Sequence, residues 1–185
     1  MAEILGSMDF ELLTLADFPG VDTDVEETGS TFAENAEIKA RAAVSATGHV
    51  CIADDGGLVI DALGGKPGLY SKRFMGEDTS FPEKMHGILE LMKSFPDEKR
   101  TCRFQCAVCI ALPDGQIFQV EGRCEGGVAH ELRGEFGFGY DPLIYIPTAG
   151  KHMAELTPDE KHKVSHRGKA LAAARPVLEQ IFRVE

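Results

Sequence analysis

Helical and strand patterns alternate through the first third of this chain, and a hairpin pattern follows in its middle. Thr31 stands at the capping position of an Ala-rich run that Gly48 closes, which predicts a helix over Phe32–Thr47. The apolar run Val50–Ala53 then predicts a short strand. Residues of high β-propensity on both sides of Pro113-Asp114-Gly115 predict the hairpin. For 185 residues this order favours an α/β fold, with a mixed central sheet flanked by helices.

The remaining elements are predicted from shorter signals of the same kind. Strands are predicted over Phe10–Leu15, Leu58–Leu63, Thr101–Leu112, Gln116–Gly122 and Leu143–Ile146. Helices are predicted at Ala2–Leu5 with Gly6 as its stop, at Phe81–Ser94, after the cap Thr157 and after the cap Ser165. Pro176 is expected to kink or break the last helix, and Gly134–Tyr140 to form a loop.

Charge and hydropathy argue against two classes of partner. The net charge of −11 argues against nucleic acid, because binding to a phosphate backbone requires a basic surface. It leaves room for a small polyphosphate ligand, which a metal ion and a few local lysines or arginines can hold. No stretch approaches the roughly 20 apolar residues of a membrane helix. Because Met1–Leu5 also lacks the pattern of a signal peptide, a cytoplasmic location is expected.

The cysteine pattern indicates free thiols. The five cysteines are Cys51, Cys102, Cys106, Cys109 and Cys124. An odd number without framework spacing is typical of a reducing compartment. Cys106 and Cys109 form a C-x-x-C within a predicted strand, where residues three apart point to opposite faces. We therefore expect buried, apolar thiols rather than a redox or zinc site.

Two adjacent carboxylates, Asp54 and Asp55, stand where the apolar strand is expected to end, ahead of Gly56-Gly57. Like charges repel, and core-like surroundings raise the cost of both charges, so a bound divalent cation would resolve the conflict. The same residues also fit an exposed acidic turn, since Asp-Gly is ordinary turn sequence. These residues alone leave both interpretations open.

Four other groups of residues suit nucleotide chemistry. They are Glu26-Glu27 ahead of the helix with Asn35 and Lys39, the segment Phe136–Pro142, Lys161 after a helix cap, and Ser165-His166-Arg167 at a helix start. Asn35 and Lys39 are four apart and share a helix face. The rings of Phe136–Pro142 flank a flexible backbone, which suits packing against a flat base. Taken singly, each group also fits an ordinary solvated surface or a helix cap.

Together these groups resemble one family in order and spacing. The matching segments are Glu27-Thr28-Gly29 with Asn35 and Lys39, Ala53-Asp54-Asp55, Asp61–Gly65 with Pro67–Ser71, Phe138–Pro142, Ala154–Leu156 with Lys161, and Ser165–Leu171. The chain is similar to the inosine triphosphate pyrophosphatases, also called XTP/dITP diphosphatases, from its first residues to about Phe182. The resemblance implies a single ITPase-like domain over residues 1–185. It also implies an elongated, two-lobed α/β fold with the substrate cleft between the lobes.

The resemblance also implies an activity, a cofactor and site residues. The activity is hydrolysis of the α–β phosphate bond of ITP, dITP and XTP to the monophosphate and pyrophosphate. Glu27 and Asp55 would bind Mg²⁺ with Asp54 beside them, and Asp55 would be the catalytic residue that orients or deprotonates the attacking water. Mg²⁺ takes carboxylate, water and phosphate oxygens and lowers the pKa of bound water. The implied substrate-binding residues are Asn35, Lys39, Gly56, Phe138, Gly139, Tyr140, Asp141, Lys161, His166 and Arg167. Arg167 is a donor only and suits a 6-oxo purine, which presents an acceptor where adenine presents a donor.

The chain departs from the family pattern at two places. The family begins with a strand and a Ser/Thr-Gly-Asn-x-x-Lys loop that binds the triphosphate, whereas Met1–Leu5 resembles the helix that follows them. The natural chain is then longer, or this is a damaged copy. Gly56 also stands where the family usually has a serine.

Alternative activities and the partners follow from the same comparison. Loss of the loop leaves open a catalytically weak, nucleotide-binding relic. A pyrophosphatase for modified pyrimidine nucleotides is a third interpretation, against which Ser165-His166-Arg167 argues. The resemblance finally implies a homodimer whose small-molecule partner is a purine nucleoside triphosphate.

Overall fold

In the part of the chain that the structure describes, the fold consists of five α-helices and a five-stranded sheet. The computed structural model describes residues 2–6, 8, 10–21 and 25–183. The helices are α1 (Ala2–Leu5), α2 (Phe32–Thr47), α3 (Phe81–Met92), α4 (Pro158–Val164) and α5 (His166–Phe182). The strands are β1 (Cys51–Ile60), β2 (Thr101–Ala111), β3 (Ile117–Val128), β4 (Ile144–Ile146) and β5 (Lys151–His152), in the order β1-β2-β3-β4-β5. The predicted α/β class is confirmed. Within the described ranges, no helix combines the length and the apolar content that crossing a membrane requires.

The strands pair antiparallel, where we expected a mixed sheet. Val128 faces Ile144 in the β3–β4 pair, and Tyr145 faces His152 in the β4–β5 pair, both antiparallel. Asp61, just after β1, accepts a hydrogen bond from Thr101 at the start of β2, so these two strands also run in opposite directions. Strands adjacent in the sheet follow one another along the chain, and the tight turn between β2 and β3 allows only opposite directions.

The chain forms two compact units. Unit 1 comprises Met1–Asp55, Cys106–Gly122 and His166–Glu185, and unit 2 comprises Gly56–Gln105 and Arg123–Ser165. These ranges assign α2 and α5 to unit 1, and α3 and α4 to unit 2.

In unit 1 the second half of β2 is buried on both faces. Its alternate residues Cys106, Val108 and Ile110 form a core with residues of α5, including Ala170, Leu171, Ala174 and Leu178. The residues between them, Ala107, Cys109 and Ala111, form a second core with Ala36 and Ala40 of α2. Because side chains alternate along a strand, each helix covers one face of the sheet.

Helix α2 follows the sequence prediction at both ends. The Thr31 hydroxyl accepts a hydrogen bond from the Glu34 amide, 3.1 Å away, as an N-cap does. Gly48 has a φ of 72°, the left-handed conformation that favours glycine at a helix end. Both signals are local, and the helix therefore starts and stops where predicted.

Two strand predictions were wrong. Strand β1 runs unbroken from Cys51 to Ile60 through Asp54-Asp55-Gly56-Gly57, so the acidic turn does not form. Residues on both faces of the sheet donate hydrogen bonds to these two carboxylates. These contacts override the low β-propensity of the Asp and Gly residues in this part of β1. Phe10–Leu15 forms no strand. Instead, the Asp17 carboxylate accepts two hydrogen bonds from Thr14, both 2.8 Å, and closes a 3₁₀ turn over Leu15–Asp17.

The other predicted elements are present with shifted ends. α3 ends at Met92 rather than Ser94, and β3 continues to Val128 rather than stopping at Gly122. The predicted strand Leu58–Leu63 is present only to Ile60, as the end of β1, and Asp61–Leu63 forms a 3₁₀ turn instead. α5 continues through Pro176 without a break.

Four of the five cysteines are buried and Cys51 is partly exposed, all as free thiols. Burial, and next the charge of Asp54, raise the pKa of Cys106 to about 12. Burial raises the pKa of Cys102 to about 12 and that of Cys109 to about 11. The prediction of buried thiols is therefore confirmed for these three residues, although Cys106 lies beside the Asp54 carboxylate.

We expect an aromatic disulfide reagent at pH 8 to modify Cys51 rapidly and the other four thiols only after unfolding. A thiol with a pKa of about 12 is thiolate at about one part in 10⁴ at that pH, and the thiolate is the nucleophile. The measurement is the number of thiols modified within minutes, in buffer and in urea. Rapid modification of two or more thiols in the folded protein would contradict it.

Candidate active site

Two carboxylates and a lysine meet in unit 1. Lys39, on α2, places its Nζ 2.9 Å from Glu27 Oε1 and 3.0 Å from Asp55 Oδ1. Glu27 lies in the segment ahead of α2, and Asp55 lies on β1. All three side chains are partly buried, and that of Asp55 is 14% exposed. Two negative charges therefore share one ammonium in a partly desolvated position, where electrostatic interactions are stronger than in water.

Asn35 holds Asp55 from one side. Its Oδ1 accepts a hydrogen bond of 2.8 Å from the Gly29 amide, and its Nδ2 donates one of 3.2 Å to Asp55 Oδ2. Asn35 is itself buried, and it lies one helical turn before Lys39 on α2. Both oxygens of Asp55 therefore accept a hydrogen bond from a residue of α2.

Gly29 leaves the space that this arrangement needs. A Cβ at position 29 would lie 2.6 Å from Asn35 Oδ1 and 2.9 Å from the Asn35 backbone nitrogen. Both distances are too short for real contacts. A glycine is therefore required here so that Asn35 can reach its position.

The Lys39 side chain favours its protonated, charged form. Burial alone disfavours the ammonium, but the hydrogen bonds to Glu27 and Asp55, together with their charges, outweigh it and raise the pKa of Lys39 above its usual value. The lysine is therefore a cation at neutral pH.

Asp54 belongs to the opposite face of β1. Arg167, at the start of α5, approaches Asp54 Oδ2 with its Nε at 2.9 Å and one terminal guanidinium nitrogen at 2.8 Å. The Cys106 thiol lies 3.7 Å from the same oxygen. Asp55 faces α2 and Asp54 faces α5, as alternation along a strand dictates.

The donor set of unit 1 fits a hard cation. No group of three or more His, Cys, Asp and Glu side chains that could hold a metal exists among the described residues. Glu27 and Asp55 nevertheless converge on one cation, Lys39 Nζ, and present carboxylate oxygens. Mg²⁺ is commonly held by one or two carboxylates, with waters and substrate phosphates completing its shell. The two residues fit Mg²⁺, whereas protein zinc sites are built mainly from Cys and His.

A second polar group lies in unit 2. The Lys161 ammonium, on α4, forms an ion pair with Asp141 and lies 4.6 Å from the centre of the Phe138 ring. Asp141 is buried and also accepts a hydrogen bond of 2.8 Å from the Phe138 amide. The Phe138 residue is 61% exposed. The buried Asp141 carboxylate therefore holds both the Lys161 ammonium and the backbone of Phe138, and the exposed Phe138 ring lies beside that ammonium.

Tyr140 anchors the loop that carries Phe138. Its hydroxyl donates to Ser71 O at 2.8 Å, and its ring packs edge-on against Phe81, 5.2 Å between centres. Burial raises the pKa of Tyr140 to about 12, so the hydroxyl remains a donor. Gly137 has a φ of 85°, and a Cβ there would lie 2.2 Å from Asp141 Oδ2. The loop conformation therefore depends on this glycine.

Comparison with known proteins identifies the family. The sequence model of the Ham1 family matches residues 1–177. This chain belongs to the Ham1 family. Two similar curated proteins carry the name dITP/XTP pyrophosphatase. That of Desulforamulus reducens is 46% identical over 182 residues, covering 98% of this chain and 90% of that protein. That of Bacillus subtilis is 45% identical over 177 residues, covering 96% and 89%.

Solved structures of Ham1 proteins share the fold. The HAM1 protein from Coxiella burnetii matches with a TM-score of 0.89 at 39% identity, covering 97% of this chain and 91% of that one. A Mycobacterium abscessus protein described as a nucleoside-triphosphatase and dITP/XTP pyrophosphatase matches with a TM-score of 0.76 at 42% identity, covering 95% and 91%. The family resemblance predicted from the sequence is confirmed.

The Ham1 chain places its predicted site residues in three clusters. In unit 1 they are Glu27, Asn35, Lys39 and Asp55, and separately Asp54 with Arg167. In unit 2 they are Phe138, Asp141 and Lys161. His166 is buried and begins α5, Tyr140 is buried, Gly139 has a φ of 65°, and Gly56 is exposed on β1. The roles assigned to these residues stay predictions.

The sequence indicated no site role for three residues that shape these clusters. They are Gly29, Ser71 and Cys106. A glycine ahead of a capped helix was the one available signal, for Gly29. Ser71 stands in a matched segment but accepts through its backbone, and Cys106 meets Asp54 only in the folded chain, so neither side chain indicated these contacts.

Proposed function

We propose that this chain hydrolyses dITP, ITP and XTP between the α- and β-phosphates, giving the monophosphate and pyrophosphate. The names of the curated relatives support this reaction, and so does the name of the Mycobacterium abscessus protein. The observation that carries it is the meeting of Glu27, Lys39 and Asp55 in unit 1. Phosphoryl transfer needs mainly positioning and charge neutralisation, which carboxylates with a lysine supply.

Glu27 and Asp55 would hold Mg²⁺, because their oxygens already converge on one cation. When bound, the ion polarises phosphoryl oxygens and lowers the pKa of a coordinated water. Asp55 would accept the proton of the attacking water, and Asn35 orients that carboxylate through its 3.2 Å hydrogen bond. Lys39 is charged and would contact the phosphates.

The residues that would contact the nucleoside are assigned from the chemistry of their side chains. The exposed ring of Phe138 offers a face for stacking a purine, and Gly139, Tyr140 and Asp141 set its backbone. His166 and Arg167 would donate to the 6-oxo group, which adenine lacks. Lys161 and Gly56 would complete the substrate contacts. Unpaired polar groups would then reject adenine.

We expect Gly29→Ala to lower kcat for dITP about tenfold or more, because the added methyl group displaces Asn35 from Asp55. The measurement is initial rates, with thermal melting to verify the fold. Asn35→Ala should cause a similar loss. If Gly29 acts through Asn35, the double variant loses little more than either single variant. If the loss of kcat in the double variant equalled the product of the two single losses, or if Gly29→Ala left kcat unchanged, Gly29 would not act through Asn35.

The names of the relatives favour an active enzyme over the nucleotide-binding relic. The test is kcat/KM with Mg²⁺ for dITP, XTP, dATP and a modified pyrimidine triphosphate. We expect the first two to exceed dATP at least about 100-fold. Equal rates for all four nucleotides would overturn the assignment, and a preference for the pyrimidine would favour the third interpretation. Loss of turnover on chelation, with recovery on adding Mg²⁺, tests the cofactor.

Two further expectations accompany the proposed activity. The chain would act as a homodimer and in the cytoplasm. Size-exclusion chromatography with light scattering tests the first, since the monomer mass is 20.1 kDa. A single peak at that mass would contradict it.

A further inference from the structure

We propose that Asp54 is a positioning residue for the Arg167 guanidinium and takes no part in holding the metal. This inference rests on the proposed function, since Arg167 is there assigned to the 6-oxo group of the purine. The proposal assigns different roles to Asp54 and Asp55, which are adjacent in the sequence.

Asp54 and Asp55 point in opposite directions from β1. Along β1, Asp55 contacts residues of α2, whereas Asp54 contacts Arg167 of α5 and the Cys106 thiol of β2. Neighbouring side chains of a strand point to opposite faces, so Asp54 lies on the face of β1 opposite to Asp55. Lys39 of α2 forms ion pairs with Glu27 and Asp55. These two carboxylates therefore lie on the α2 face of β1, away from the contacts of Asp54.

Asp54 and Arg167 form a close, partly buried ion pair. Two nitrogens of Arg167 approach one oxygen of Asp54, at 2.9 and 2.8 Å. The Asp54 side chain is only 18% exposed and that of Arg167 is 38% exposed. A charge-assisted, partly buried contact of this kind is stronger than a surface ion pair. A metal that recruited Asp54 through Oδ2 would have to displace Arg167 from that oxygen.

A glycine in β3 allows Arg167 to reach Asp54. A Cβ on Gly122 of β3 would lie 2.1 Å from His166 O and 2.4 Å from the Ala170 nitrogen. The missing side chain lets the first turn of α5 lie directly against β3. Arg167 is the second residue of that turn, and it therefore reaches the sheet face on which Asp54 lies.

The test compares Asp54→Asn with Asp55→Asn by two readouts. The first is Mn²⁺ binding to the free protein, followed by electron paramagnetic resonance with Mn²⁺ alone as the probe. We expect Asp54→Asn to bind within about twofold of the unmodified protein and Asp55→Asn at least about tenfold more weakly. Equal weakening in both variants would make Asp54 a metal ligand and overturn the proposal.

The second readout is substrate discrimination. Asp54→Asn should raise KM for dITP more than it lowers kcat, and it should narrow the dITP to dATP ratio of kcat/KM about tenfold. Combined with Arg167→Ala, it should cause little further loss, because both changes remove one contact. If the loss in the double variant equalled the product of the losses in the two single variants, the two residues would act independently and the proposal would be overturned. Glu179→Gln, which removes a partner of Arg175 on the same helix, is the control and should change neither readout.

The two readouts separate this proposal from the proposed function. If the unmodified protein fails to hydrolyse dITP, the proposed function fails while Mn²⁺ binding still decides the role of Asp54. Thermal melting verifies that each variant folds. Arg167→Lys serves as a second variant that keeps the charge but loses the two-nitrogen contact. It should narrow discrimination as Asp54→Asn does, and full discrimination in Arg167→Lys would contradict the proposal.

Discussion

Asp55→Asn is expected to lower kcat for dITP at least about 10³-fold. The change removes a negative charge that faces Lys39 at 3.0 Å, an acceptor for the proton of the attacking water, and one of two carboxylates fit to hold Mg²⁺. Asparagine has nearly the same shape, and Lys39 keeps its contact with Glu27, so the fold should persist. The measurement is the single-turnover rate, with thermal melting as the check on folding.

The control for Asp55→Asn is Glu37→Gln. Glu37 lies on the same helix as Lys39 and forms an ion pair with Arg41, 2.7 Å away. Removing this carboxylate should leave kcat within about twofold, since pairs near the surface contribute little. If Asp55→Asn kept its rate within about tenfold, Asp55 would be neither the base nor an essential ligand.

Gly122→Ala is expected to lower the free energy of unfolding by about 2–3 kcal/mol. The added Cβ would lie 2.1 Å from His166 O and 2.4 Å from the Ala170 nitrogen, both backbone atoms. No rotamer relieves such an overlap, so the start of α5 must move away from β3. The dITP preference should weaken as well, because Arg167 moves with that turn. Urea unfolding followed by circular dichroism measures the first effect.

Gly127→Ala, on the same strand, is the matched control. Its Cβ would meet nothing closer than Arg100 O at 3.8 Å, an ordinary contact. We expect its free energy of unfolding to be unchanged or up to about 1 kcal/mol higher, because alanine restricts the unfolded chain. Equal stability of the two variants would show that the close packing of α5 on β3 is not required.

Local signals made part of the fold predictable. The cap at Thr31 and the glycine at Gly48 fixed α2, since both act within a few residues of themselves. The continuous strand through Asp54-Asp55 was not predictable in the same way. Its carboxylates find partners on α2 and on α5, and these contacts override the turn preference of Asp-Gly.

The candidate site was predictable as a set of residues but not as an arrangement. Family resemblance named Asp54, Asp55 and Arg167 together, without a face for any of them. Arg167 lies 113 positions from Asp54, and their contact depends on the close approach that Gly122 permits. Such a contact arises only from packing, which a single sequence does not specify.

The most direct test of the proposed activity is the identity of the products from dITP. Phosphorus nuclear magnetic resonance of a complete reaction distinguishes pyrophosphate from orthophosphate. Hydrolysis between the α- and β-phosphates predicts dIMP and pyrophosphate in equal amounts with Mg²⁺, and no reaction in Asp55→Asn. Orthophosphate with dIDP would contradict the account, because the attack would then be at the γ-phosphate.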